Sequence, residues 1–92
     1  MALADTTVLQ LSRGYRFQWE QAQNAYVLLF PEGMVKLGSS AGEILKRIDG
    51  VAAVADIIAD LQRAFPGAEL RGDVVHFLEH AEAKGWVHAR QP

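Results

Sequence analysis

The stretch Ala25-Tyr26-Val27-Leu28-Leu29-Phe30-Pro31-Glu32-Gly33-Met34-Val35-Lys36-Leu37-Gly38-Ser39-Ser40-Ala41-Gly42-Glu43-Ile44-Leu45 decides the fold. Its opening six residues are an unbroken apolar run. That length, with aromatic and β-branched side chains, favours a buried strand over a helix. Pro31-Glu32-Gly33 then turns the chain, Pro fixing φ and Gly free to take positive φ. Met34 to Leu37 is a short extended segment with a natural place beside the first strand. So short a strand belongs at a sheet edge, with unpaired backbone groups facing outward. From Ser39 the period changes from 2 to 3.6, and Ala41, Ile44, Leu45 and Ile48 share one helical face. Ser40 and Glu43 have capping-box spacing, and Asp49-Gly50 offers a stop.

Upstream, Tyr15, Phe17 and Trp19 alternate with Arg16, Gln18 and Glu20, which reads as a strand with its aromatics on one face. The polar Gln21 to Asn24 joins it to the apolar run as an antiparallel hairpin. Downstream, Val54, Ile57, Ile58, Leu61 and Phe65 mark a second helix, stopped by Pro66-Gly67. Leu70, Val74, Phe77, Leu78 and Ala81 mark a third, ended by Gly85, and Trp86-Val87 is again extended. The pattern predicts an α+β, winged-helix-like domain: an N-terminal three-stranded antiparallel sheet followed by three helices. Residues 13–88 form that domain, 1–12 read as a flexible arm, and 89–92 as a tail.

Composition narrows the function. A chain of 92 residues is one domain's worth, too small to wall off a deep catalytic cavity beside its core. The net charge is -2 with no basic block, which argues against a nucleic-acid partner. There is no cysteine, so thiolate chemistry, disulfides and Cys-ligated metals are excluded. No apolar run approaches the ~20 residues of a membrane span, and the first residues lack the pattern of a secretion signal. A cytoplasmic protein without a membrane partner is the expectation.

Several short motifs compete for a role. His76-Phe77-Leu78-Glu79-His80 fits the H-x-x-E-H pattern of a zinc peptidase class. Both histidines lie off the apolar stripe, and no third ligand is marked, so solvated helix histidines are the better reading. Ser39 and Ser40 have no base or oxyanion motif, and the glycines have the wrong spacing for a phosphate loop. A helix-turn-helix also invites a DNA-binding alternative. In the third helix, however, Asp73, Glu79 and Glu82 outnumber Arg71 and Lys84, and carboxylates repel phosphate.

The remaining candidate is the edge strand. An extended peptide can add to such an edge by backbone pairing, while a flanking groove selects side chains. Val75 is apolar yet sits off the core stripe, on the flank of Arg71, Leu78 and Glu82. That flank is a candidate groove wall, although periodicity alone favours an ordinary wide core face.

Trp19-Glu20, Tyr26 to Gly33, Lys36 to Leu45, Asp49-Gly50, Val54 to Ile58, Asp73 to Leu78 and Lys84 to Val87, taken in order, resemble the PqqD family of pyrroloquinoline quinone biosynthesis proteins. The resemblance implies a non-catalytic recognition domain without cofactor or metal. It implies binding of the ribosomally made precursor peptide PqqA and association with PqqE, a radical S-adenosylmethionine enzyme. It also implies that the peptide adds as a strand to Met34, Val35, Lys36 and Leu37, in a cleft against the helix Arg71 to Lys84, whose candidate wall is the flank of Arg71, Val75 and Leu78. Gly38 stands where the family usually has Asn, and Ala53 where Thr or Ser often caps the second helix. The exposed aromatic hairpin additionally allows a homodimer.

Overall fold

The computed structural model describes residues 3–90. In chain order the elements are β1 (Leu9–Leu11), β2 (Arg16–Glu20), β3 (Ala25–Phe30), β4 (Gly33–Lys36), α1 (Ser39–Leu45), α2 (Val54–Ala64), α3 (Arg71–Ala83) and β5 (Val87–Ala89). Strands β2, β3 and β4 form an antiparallel meander with β3 in the middle. The expected hairpin is there, with Phe17 opposite Leu28 and Trp19 opposite Tyr26. Leu28 in turn faces Val35. Opposite residues share a face, so Phe17, Trp19, Tyr26, Leu28 and Val35 lie on one side of the sheet.

Helix α1 packs on that side, close to β3. A Cβ on Gly42 would lie 2.7 Å from Cδ2 of Tyr26, so the crossing depends on glycine. Ile44, Leu45, Val54, Ile57, Ile58, Leu61, Val74, Leu78 and Ala81 then bring all three helices onto Leu28 in a single core. Each of these buried Val, Leu and Ile side chains contributes about 1.5–3 kcal/mol from leaving water.

The expectation of a single sheet is corrected. β1 and β5 pair antiparallel in a second sheet, Leu9 opposite Ala89 and Leu11 opposite Val87. Part of the expected arm, Leu9 to Leu11, and Ala89 of the expected tail take part in that pairing. Leu9 is wholly buried in the core. The segment before it also accepts hydrogen bonds from the start of α2, Val54 N–H to Thr7 C=O at 2.9 Å and Ala55 N–H to Asp5 C=O at 3.0 Å. Residues 1, 2, 91 and 92 of the expected arm and tail lie outside the described residues.

Helix ends differ in detail. Ser40 does not cap α1: it lies inside the helix, Gly38 is the N-cap, and that end has no side-chain cap. Glu43 pairs instead with Arg47 at 2.9 Å, one turn on. The helix stops at Leu45, short of the predicted Ile48, and Gly50 takes the left-handed conformation after an irregular turn. Ala53 caps α2 with no side-chain acceptor, while Asp56 accepts from the Ala53 N–H at 2.9 Å. Phe65 ends α2 half exposed instead of continuing its buried stripe.

Candidate functional site

Backbone direction follows from the register. Leu37 N–H donates to Tyr26 C=O at 3.0 Å. In an antiparallel ladder this direction alternates along the strand. Gly33, Val35 and Leu37 therefore bond inward to β3, and Met34 and Lys36 turn N–H and C=O outward. Among the described residues no backbone bond from another element reaches Met34 or Lys36. The edge is open over these residues.

The side chains divide the same way. Val35 lies on the core side and packs half-buried against the cluster. Met34 is 45% exposed and Lys36 is exposed, on the opposite side of the sheet. Leu37 is only 5% exposed and helps anchor the strand's end.

On α3 the predicted residues have three different situations. Val75 is half-buried against the core. Leu78 is 0% exposed, so it supports the helix from beneath and offers no surface. Arg71 is exposed at the start of α3, where its Nη1 donates to Asp5 Oδ1 at 2.7 Å. That bond first, and the Asp5 charge with it, raises the Arg71 pKa. Any peptide group using Arg71 competes with Asp5.

The sequence did not point to a groove of about 420 Å³, an open space where α1, α2 and α3 meet. Ser39, the first residue of α1, lines it, as do Ile44, Phe65, Leu70 and Val74, with Glu43 and Asp73 giving acidic groups. Ser39 lies three residues past the end of β4, a span of at most ~11 Å. The signal was present in Phe65, a large aromatic directly before the Pro66-Gly67 stop, where a core residue has no following turn to cover it.

The zinc motif is not assembled. His76 and His80 are both exposed, and His80 stands edge-on to Trp86 at 5.8 Å. Among the described residues no cluster of three or more His, Cys, Asp or Glu could hold a metal ion. No described helix is long and apolar enough to cross a membrane.

Comparison with known proteins then decides the family. Residues 25–87 match the family model described as coenzyme PQQ synthesis protein D. The chain belongs to the PqqD family. A PqqA binding protein of Stutzerimonas stutzeri is 50% identical over 86 residues, covering 92% of this chain and 94% of that one. Another, from Acinetobacter baylyi, is 56% identical over 77 residues, covering 83% of this chain and 78% of its own. The solution structure of the PqqD portion of Methylobacterium extorquens PqqCD superposes with a TM-score of 0.76 at 28% identity, over 95% of each chain. That portion is described as a functional, stand-alone recognition element for ribosomally synthesised, post-translationally modified peptides. The mixed α/β fold of three helices and antiparallel sheets is thus shared by this PqqD-family chain and that domain.

Proposed function

We propose that this chain is a non-catalytic peptide chaperone that binds PqqA and presents it to PqqE in the cytoplasm. The supporting observation is the pair of outward-facing residues on β4, Met34 and Lys36, at an edge that no other described element bonds. A guest strand there makes backbone bonds that tolerate many sequences, and its alternate side chains turn toward Val35 and the helices. The groove bounded by Phe65, Leu70 and Val74 takes an apolar side chain, and Glu43 and Asp73 at its rim favour a basic neighbour. The relatives named PqqA binding proteins supply the peptide's identity.

The physical role is to lower the cost of ordering. A disordered peptide loses conformational entropy when it binds. Pairing along a preformed edge fixes its register, and association of this domain with the enzyme raises the peptide's effective concentration there. Micromolar binding needs about 8 kcal/mol. In this reading the α2–α3 pair is a winged-helix-like framework used for peptide and not DNA, since α3 presents Asp73, Glu79 and Glu82 against Arg71 and Lys84.

Lys36→Pro is the discriminating variant. It removes an outward N–H and leaves the bonds to β3 intact. Val35→Pro is uninformative, because that N–H belongs to the fold's own ladder. Calorimetry of folded Lys36→Pro with PqqA is expected to show at least a tenfold loss of affinity. Unchanged affinity would rule out the β4 edge.

A further inference from the structure

His76 and His80 have no part in the proposed peptide docking. They stand four residues apart within α3, a helix unbroken from Arg71 to Ala83. Residues so spaced lie one above the other on one helix face, with Cβ atoms ~5–6 Å apart. One nitrogen of each ring can then reach a common ion at the ~2.0–2.1 Å of a zinc–imidazole bond.

Both rings are exposed. Among the described residues neither has a hydrogen-bond or ion-pair partner, whereas the remaining histidine, His88, is bonded to Gln10 Nε2 at 2.9 Å and to Ser12 Oγ at 3.3 Å. A ligand for His76 and His80 therefore displaces only water. His80 is also held in place: its ring meets Trp86 edge-on at 5.8 Å, and Trp86 leans on Phe77 at 6.5 Å. That contact restricts the His80 rotamers, so less entropy is lost when an ion fixes the ring. The local charge favours a cation. Asp73, Glu79 and Glu82 share α3 with Arg71, which is already paired with Asp5, and with Lys84 at the C-cap.

We propose that His76 and His80 form an exchangeable site for a late first-row divalent metal ion, tightest for Cu²⁺, with water in the remaining coordination positions. The donors select that class. Imidazole suits copper, nickel and zinc, whereas Mg²⁺ and Ca²⁺ require oxygen ligands. For a given ligand set, affinity follows the Irving–Williams order, which puts Cu²⁺ ahead of Ni²⁺ and Zn²⁺. The donor count sets the strength. Structural zinc sites use four protein ligands and catalytic ones three, and among the described residues no third His, Cys, Asp or Glu joins this pair. The bound ion is accordingly labile, unlike a resident cofactor, and its open positions accept donors from another molecule. The β4 edge lies on a different element, so peptide docking and metal binding stand or fall separately.

Trp86 makes the site readable, because Cu²⁺ quenches an indole held beside it. Cu²⁺ is titrated into the full chain, free of any histidine tag, at about pH 7.5, where unperturbed imidazole is mostly neutral. Emission is expected to fall to a plateau at one ion per chain and to recover when a chelator is added. Trp86→Phe should remove most of the quenching, and Trp19→Phe should not. Calorimetry reads the affinity. His76→Gln and His80→Gln change exposed side chains, and each is expected to weaken Cu²⁺ binding at least tenfold. His88→Gln is expected to leave it unchanged, and Zn²⁺ to compete for the same site more weakly. Saturation only at about 1 mM Cu²⁺ or above overturns the proposal. So does an affinity indifferent to both His76→Gln and His80→Gln, one lost with His88→Gln instead, quenching that depends on Trp19, or Zn²⁺ that binds more tightly than Cu²⁺.

Discussion

Gly42 is the residue on which the α1 crossing depends. Tyr26, the ring it touches, cannot easily give way: Phe17 stacks on it at 4.9 Å and Trp19 meets it edge-on at 5.0 Å. Gly42→Ala, helpful in an isolated helix, is therefore expected to cost about 1–3 kcal/mol through overpacking, measured as a shift in urea midpoint. Ala53 is the converse case. It caps α2 without an acceptor, so Ala53→Ser is expected to add about 1 kcal/mol, seen as a rise in Tm. Two carboxylates contribute to the pH dependence. Ala52 N–H first, and Val51 N–H with it, donate to Asp49 Oδ1 and hold its pKa below the ordinary value. The Arg47 hydrogen bond does the same for Asp60. Burial of Arg47 tends to lower its own pKa, but the bonds to Glu43 and Asp60 outweigh this and raise it. Depressed carboxylates stabilise fully above their unfolded pKa, and the contribution is lost as pH falls through the folded values. Urea midpoints are therefore expected to be level above about pH 5 and to decline below about pH 4, with a shallower decline in Asp49→Asn.

At the scale of elements, what was legible in the sequence and what was not have physical reasons. The β2–β3 hairpin and the third strand were readable because alternation and an apolar run are themselves burial patterns. The helices were readable from Val54, Ile57, Ile58 and Leu61, and from Val74, Leu78 and Ala81, all buried as expected. β5 was readable only as the extended Trp86-Val87, and β1 not at all, because three residues each give no period and their pairing spans nearly the whole chain. The candidate site divides similarly. An edge strand beside a helix was visible in the sequence, but which residues of β4 face outward depends on the register through the Pro31-Glu32 turn. Periodicity placed Leu78 on both the stripe and the flank, and packing assigns it wholly to the core. Arg71 was readable as a cation, but its tie to Asp5 was not, since the two are distant in sequence. Releasing that tie is expected to matter. Asp5→Asn frees Arg71 for an acidic guest group and should tighten binding of a peptide that presents one by a few-fold, measured by calorimetry, with Arg71→Ala abolishing the gain.

At the scale of the whole molecule, the fold is a small sheet with one edge at β2 and another at β4, backed by helices on a single side. β1 pairs with β5, and the Thr7 and Asp5 carbonyls accept from the start of α2, so both flanking segments are tied into the folded body. That division of labour suits the peptide binding proposed above. In that proposal the helices hold the core, the sheet offers unpaired backbone, and the groove near Phe65 and Leu70 would discriminate among side chains. The most direct measurement is amide hydrogen exchange, residue by residue, with and without PqqA. Val35 and Leu37 should already exchange slowly in the free protein, and the peptide should newly protect Met34 and Lys36. Saturating peptide that leaves those two amides as fast as before would contradict docking at β4.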